Sequence, residues 1–284
     1  MENDLRFAIL IDADNISDKY IKIILDETAN MGVATYKRIY GDWTSPQLAS
    51  WKMVLLENSI IPMQQYSYTT GKNSTDSAMI IDAMDILYSG MVDGYCIVSS
   101  DSDFTRLAAR LRESGMQVIG MGEQKTPRPF ISACNQFKYL DLLYSNQQDT
   151  EREEAQAELA EKLQEVLTEE PRGDLPGGPQ ESDQTGKGPA KRTSTLAEQR
   201  RIRKRDLARI CRVINAIIEK FSDDDGWIYL GKLGDQMAKR LPDFDVRNYG
   251  YSKMMPFIKS LGAYEVQKLP DDNGQKQLYV RAKG

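Results

Sequence analysis

A chain of 284 residues, 40% hydrophobic and 28% charged, has the makeup of a globular protein of one large domain or two ordinary ones. It contains no histidine, which excludes the Ser-His-Asp triad, the Cys-His pair, histidine-ligated zinc and the imidazole general base. Hydrolytic chemistry would have to run on carboxylates, metals, lysine or tyrosine, and the three widely separated cysteines, Cys96, Cys134 and Cys211, read as reduced thiols of a cytoplasmic protein rather than as a zinc cluster or disulfide framework.

The start, MENDLRFAILIDADN, has acids at Glu2, Asp4 and Asp12 and too short an apolar stretch for a signal peptide; no segment approaches the roughly 18 apolar residues of a membrane span. Charge is uneven along the chain. Residues 1–150 carry 13 basic and 19 acidic residues (net −6), 151–186 carry 3 and 11 (−8), 187–220 carry 11 and 3 (+8), and 221–284 carry 10 and 9 (+1). An acidic front part is thus joined to a basic neck.

In chain order, β-rich runs at Phe7–Ile11, Val33–Tyr40, Ile60–Tyr66, Tyr95–Ser99, Gln117–Met121 and Lys138–Leu143 alternate with helical patterns near 18–30, 46–57, 74–89, 103–114 and 127–134. Such alternation predicts an α/β fold with a parallel sheet flanked by helices, whose ligands gather at the carboxyl ends of the strands. After Asn146 a charged helical stretch gives way to PRGDLPGGPQESDQTGKGPAK, which reads as a flexible linker, so 147–199 forms an acidic then Pro/Gly-rich connection. The basic run Arg200, Arg201, Arg203, Lys204 and Arg205 opens the last part, 200–284. Helices are expected there near 206–221, 229–241 and 249–261, followed by a hairpin of Tyr264–Lys268 and Gln277–Arg281 turning at Asp271–Gly274, a winged-helix pattern.

The first strand runs into Asp12, Asp14 and Asn15, and the fourth runs through Val98 and Ser99 into Asp101 and Asp103. Asp76 opens a helix on the same face as Met79, Ile80, Ala83 and Leu87, while Asp82 and Asp85 point away from that stripe. Helix capping accounts for Asp14, Ser17 or Asp103 taken singly. For the group, three crossover elements each deliver an acid to one sheet edge. Such a cluster calls for a divalent cation, and oxygen-only ligands suit Mg²⁺ or Mn²⁺.

The segments FAILIDADNI, KNSTDSAMIIDAMDIL and YCIVSSDSDFTRLAARLRESGMQVIGMG, in this order and spacing, resemble the NYN domain, a PIN-like metal-dependent ribonuclease fold, over residues 5–144. The resemblance implies that Asp12, Asp76, Asp101 and Asp103 are metal-binding, catalytic acids, that Asn15 orients the first, and that Lys72 and Thr75 meet the scissile phosphate. Asp14 stays outside that core. Asp12-Ala13-Asp14 also resembles the nucleophile loop of haloacid-dehalogenase phosphatases, which expects Thr or Val where Asn15 stands.

Near the C-terminus, Gly226-Trp227, Leu230, Leu233, Pro242-Asp243-Phe244, Tyr249-Gly250-Tyr251 and Leu261 resemble the LOTUS (OST-HTH) domain, a small winged helix. Trp227, Leu230, Leu233 and Phe257 fit a buried stripe. The resemblance implies RNA binding, and some relatives dock a protein partner instead. The basic run supplies phosphate-seeking charge, with Tyr251, Lys253 and Lys259 as exposed candidates for RNA contacts. The combined reading is a cytoplasmic Mg²⁺- or Mn²⁺-dependent ribonuclease with an RNA-binding LOTUS domain; the alternative is a non-catalytic RNA-associated adaptor.

Overall fold

The protein is described by a computed structural model covering residues 4–66, 74–152, 156, 196–270 and 276–283. Its first strand, β1 (Arg6–Asp12), carries the run Phe7 to Ile11, each at most 1% exposed because helices cover both faces of the sheet. Alternate side chains feed two cores. Phe7, Ile9 and Ile11 pack with α1 (Ile21–Ala29) and α2 (Trp51–Asn58), whereas Ala8 and Leu10 pack with α3 (Ser74–Ser89), α4 (Thr105–Glu113) and α5 (Arg128–Ala133).

The other strands are β2 (Val33–Gly41), β3 (Ile61–Gln64), β4 (Gly94–Val98), β5 (Gln117–Gly122) and β6 (Gln136–Tyr139), all parallel, in the order β3-β2-β1-β4-β5-β6. The chain therefore winds outward in both directions from β1 and β4, whose register sets Ile11 beside Val98. That pair is the switch point, where the crossovers leave a crevice at the carboxyl edge.

Element types follow the hydrophobic periods, with one shift at the sixth strand. It occupies Gln136–Tyr139, and Leu140 already belongs to a helix, α6 (residues 140–152). Leu140 and Leu143 are both buried, three residues apart on one helical face, a spacing that a short apolar run leaves open between strand and helix. Of the expected linker, 147–152 continue α6 and Leu196 begins the next helix; its Pro/Gly-rich stretch lies outside the described residues.

The C-terminal unit is a small winged helix. It contains α7 (Leu196–Phe221), β7 (Ile228–Tyr229), α8 (Leu230–Arg240), α9 (Met254–Ser260) and a hairpin of β8 (Tyr264–Pro270) and β9 (Lys276–Ala282), forming an antiparallel sheet in the order β7-β9-β8. Ile210, Ile214 and Ile217 of α7 close its core on Leu233, Met237, Phe257 and Val280. The short β7 alters one expectation. Ile228 takes the buried place and Trp227 stays half-buried beneath the Arg281 guanidinium, 4.6 Å from its ring, because adjacent strand residues face opposite ways. The helix expected at 249–261 is confined to α9 by a 3₁₀ turn at Val246–Tyr249 that ends on Gly250 at φ 82°, a left-handed conformation suited to glycine. The expected hairpin turn lies outside the described residues.

The two units are docked against each other along the β6 edge. Phe137 N–H, a donor on the edge strand, donates to Pro242 C=O at 2.8 Å, and Asn146 Nδ2 donates to Arg247 C=O at 2.7 Å. Beside them lies a four-charge network. Glu27 of α1 meets Arg247 at 2.5 Å and Lys138 at 3.3 Å; Asp245 meets Arg247 at 2.7 Å and Lys138 at 3.0 Å. Burial would raise both acids, but the hydrogen bonds and charges of Arg247 and Lys138 outweigh it, holding Glu27 below its usual value and Asp245 at about 2.

Arg247→Ala leaves Glu27 and Asp245 sharing Lys138 alone. A loss of about 2 kcal/mol is expected, less than the ~3–5 of a fully buried pair because 37% of the Arg247 side chain is exposed. Denaturant unfolding followed separately in each unit should show their transitions moving apart; superimposable curves for variant and wild type would contradict the docking. Because both acids have lowered folded-state pKa values, their contribution is present above pH ~4.5 and lost as pH falls below it, so the variant should also lose part of the wild-type acid limb.

Candidate metal site

At the switch point β1 delivers Asp12, and β4 leads through Ser99 and Ser100 to Asp101. Asp12 is wholly buried, and each oxygen has a donor. Oδ2 accepts from Asn15 Nδ2 and Ser99 Oγ, both at 2.7 Å, and Oδ1 accepts from Asp14 N–H at 3.1 Å. Burial pushes its pKa up, the Ser99 and Asn15 hydrogen bonds pull it back, and the Asp14 charge adds a further upward push. Ser99 works in two directions, donating to Asp12 and accepting from Asp101 N–H at 3.0 Å, so one hydroxyl ties the two acid-bearing loops together.

The third wall is the loop after β5. Glu123 N–H donates to Ser100 Oγ at 2.9 Å, and a Cβ on Gly122 would lie 2.6 Å from Ser99 C=O, so glycine is what lets this loop close on the acids. Asp101 caps the 3₁₀ turn at Ser102–Phe104 by accepting from Asp103 N–H at 2.9 Å. Capping and membership of the site therefore coexist in one residue.

Asp76 reaches the same place from the first turn of α3, whose Met79, Ala83 and Ile86 are buried in the sheet core. One oxygen from each of Asp76, Asp101 and Asp103 lies within 4.8 Å of the others. Two ligands on opposite sides of Mg²⁺ stand about 4 Å apart, so this all-oxygen trio has the size and hardness for a divalent ion. Burial, and then the charges of Asp12, Asp101, Asp103 and Asp14, push Asp76 up to about 6. Asp12 is not one of the trio. It ends β1 as a hydrogen-bonded charge felt by Asp76.

Of the other expected site residues, Asn15 lies on Asp12, Thr75 is buried, and Lys72 lies outside the described residues. Arg200, Arg201, Arg203, Lys204 and Arg205 fall in the early turns of α7. Tyr251 is half-buried with its ring edge-on to Phe257, centroids 5.7 Å apart, whereas Lys253 and Lys259 are exposed. Sequence reasoning missed Ser99; a serine directly after a fully buried strand and two residues before an acid was the available signal. It also missed Asp82, which accepts from Arg38 and Tyr40 of β2 and so fastens α3 to the sheet.

Family models match residues 6–141 to the NYN domain and residues 206–275 to the OST-HTH/LOTUS domain. Among solved structures, a protein of unknown function from Vibrio parahaemolyticus is 19% identical with a TM-score of 0.42, the alignment covering 49% of this chain and 94% of that one. An uncharacterized protein of Nitrosomonas europaea is 26% identical with a TM-score of 0.24, covering 38% and 92%. No curated protein matches the chain. With six parallel strands presenting clustered acids at their switch point and a winged helix behind them, the chain carries an NYN domain at residues 6–141 followed by an OST-HTH/LOTUS domain at 206–275.

Proposed function

We propose that this protein is a divalent-metal-dependent ribonuclease whose NYN domain cuts RNA phosphodiesters while the basic run and the LOTUS domain hold the strand. The observation that carries the reading is the convergence of Asp76, Asp101 and Asp103 over a buried, hydrogen-bonded Asp12. When bound, Mg²⁺ or Mn²⁺ would neutralise the scissile phosphate and supply a water of lowered pKa, chemistry that needs no histidine. The three acids would hold the ion. Asn15 and Ser99 fix the Asp12 carboxylate, and Ser99 sets the Asp101 backbone, so the first and fourth strands keep one geometry. The unpaired Cys96, Cys134 and Cys211 fit a reducing compartment, and we place the activity in the cytoplasm on that ground. The adaptor reading rests on the net −6 of the first 150 residues, which disfavours RNA in the absence of cations.

Asp101→Asn removes one charge from the trio but keeps the cap to Asp103. It should lower cleavage of labelled single-stranded or structured RNA in Mn²⁺ by orders of magnitude without loss of fold, and wild type in EDTA should behave alike. Undiminished cleavage by Asp101→Asn would sink the assignment, and an uncleaved RNA panel with wild type in either ion would favour the adaptor.

Stability should track the same charges. The folded-state pKa of Asp76 is raised, so its ionisation costs stability, and that cost develops as pH rises from ~3.8 through about 6. In EDTA, Tm should therefore rise on acidification from pH 7 to 5. Added Mn²⁺ should raise Tm at pH 7 by mass action, by an increment that shrinks below pH 6 as protons compete for Asp76. In Asp76→Ala both effects should diminish; an identical Mn²⁺ increment would reduce Asp76 to a helix-terminal acid.

Replacing Arg200, Arg201, Arg203, Lys204 and Arg205 by Gln should flatten the dependence of log affinity on log salt without changing which RNAs are preferred, since phosphate contacts position but do not specify. Equal slopes for the two proteins would leave the basic run as a solvated helix face.

A further inference from the structure

Where the LOTUS domain docks on the NYN domain, a cleft of about 740 Å³ remains between the β5–α5 loop and α6 on one side and the middle of α7, at Asp206–Ile210, with the 241–250 segment on the other. We propose that this cleft receives an unstacked base of the RNA strand as it leaves the acid cluster, with Arg209 and Arg128 at its rim for the adjoining phosphate. The identity of the strand rests on the ribonuclease reading above.

Continuity is the first support. Gln124 lines the cleft, and the residue before it, Glu123, is hydrogen-bonded to Ser100, itself next to Asp101. Lys125, on the same loop, pairs with Glu123 at 2.8 Å and keeps 63% of its side chain exposed. At the far wall Arg209 lies one helical turn beyond the basic run of α7. A strand crossing from one end to the other passes the cleft mouth.

Chemistry is the second. The cleft lining mixes apolar groups, Ile131, Ile210, Leu241 and Phe244 among them, with polar ones such as Gln124, Asn146 and Asn248. A nucleobase has the same division: an apolar face and a hydrogen-bonding edge. Asn248, whose Nδ2 donates to Asp243 C=O at 3.2 Å, adds a polar group to the lining.

Charge is the third. Asp243, 13% exposed, already holds Arg128 at 2.7 Å and lies 3.9 Å from Arg209, and Asp206 brings a second acid to the lining. The cleft interior is therefore close to neutral, unsuited to a run of phosphates and suited to a base. The two arginines keep 57% and 40% of their side chains exposed. The network of Glu27, Lys138, Asp245 and Arg247 fixes the walls in advance, so little ordering is left for the moment of binding.

Two measurements on the full-length protein decide the matter. The first is the ratio of kcat/KM for a single-stranded RNA of about twelve nucleotides to that for one of about four, too short to reach both sites; this ratio should fall about tenfold in Gln124→Trp, which fills the cleft, and in Arg209→Trp. An unchanged ratio in both variants overturns the proposal. The second needs no cleavage: oligonucleotides carrying 5-iodouridine, irradiated on Asp101→Asn protein, should crosslink to peptides containing Phe244, Tyr249 or Tyr139. Crosslinks confined to the β8–β9 hairpin or to α9 overturn it, as does their absence from the cleft when RNA is bound, which would leave the cleft to a peptide. If wild type cleaves nothing while the crosslinks fall in the cleft, the ribonuclease reading fails and the base site stands.

Discussion

The arrangement depends on one buried carboxylate. Asp12 ends a strand that has no solvent on either face, and a charge there is tolerated because Asn15, Ser99 and the Asp14 amide all donate to it. Those donors come from both strands of the switch point, so satisfying Asp12 also brings together the two loops that carry the remaining acids. Ser99 shows the economy of this most clearly, since the hydroxyl that donates to Asp12 also accepts from Asp101. Gly122 completes the enclosure by letting the next loop close on Ser99 and Ser100.

Above that foundation the site is electrostatically loaded. Three further carboxylates approach within a few ångströms, and Asp76 bears the consequence in a pKa of about 6. Such a cluster of like charges costs stability rather than adding it. The fastening of α3 through Asp82 to Arg38 and Tyr40 offsets part of that repulsion by tying the helix that carries Asp76 to the sheet.

The second domain is fixed by a different balance. An edge strand leaves backbone donors unpaired, and the LOTUS domain supplies Pro242 C=O to one of them while Arg247 and Asp245 neutralise the largely enclosed Glu27 and Lys138. Charges on each domain are thus completed by the other. The same contact leaves a cleft whose lining includes Gln124, on the loop that closes over the acids.

Much of this was written locally. The unbroken apolar run of β1, the alternation of strand and helix, and acids directly after the first and fourth strands fix the sheet and its functional edge, because period and strand ends are properties of neighbouring residues. The absence of histidine excludes imidazole chemistry from composition alone. Tertiary structure decided which acids face one another. Asp12 ends its strand with both oxygens hydrogen-bonded, and Asp76, Asp101 and Asp103 form the close trio beside it. It likewise decided that Trp227 yields its core place to Ile228 and that the chain after Tyr139 turns helical, since short apolar runs fit either period. Docking was beyond the sequence altogether: Glu27 and Arg247 are 220 residues apart, and no local pattern encodes a partner that only folding brings within hydrogen-bonding distance.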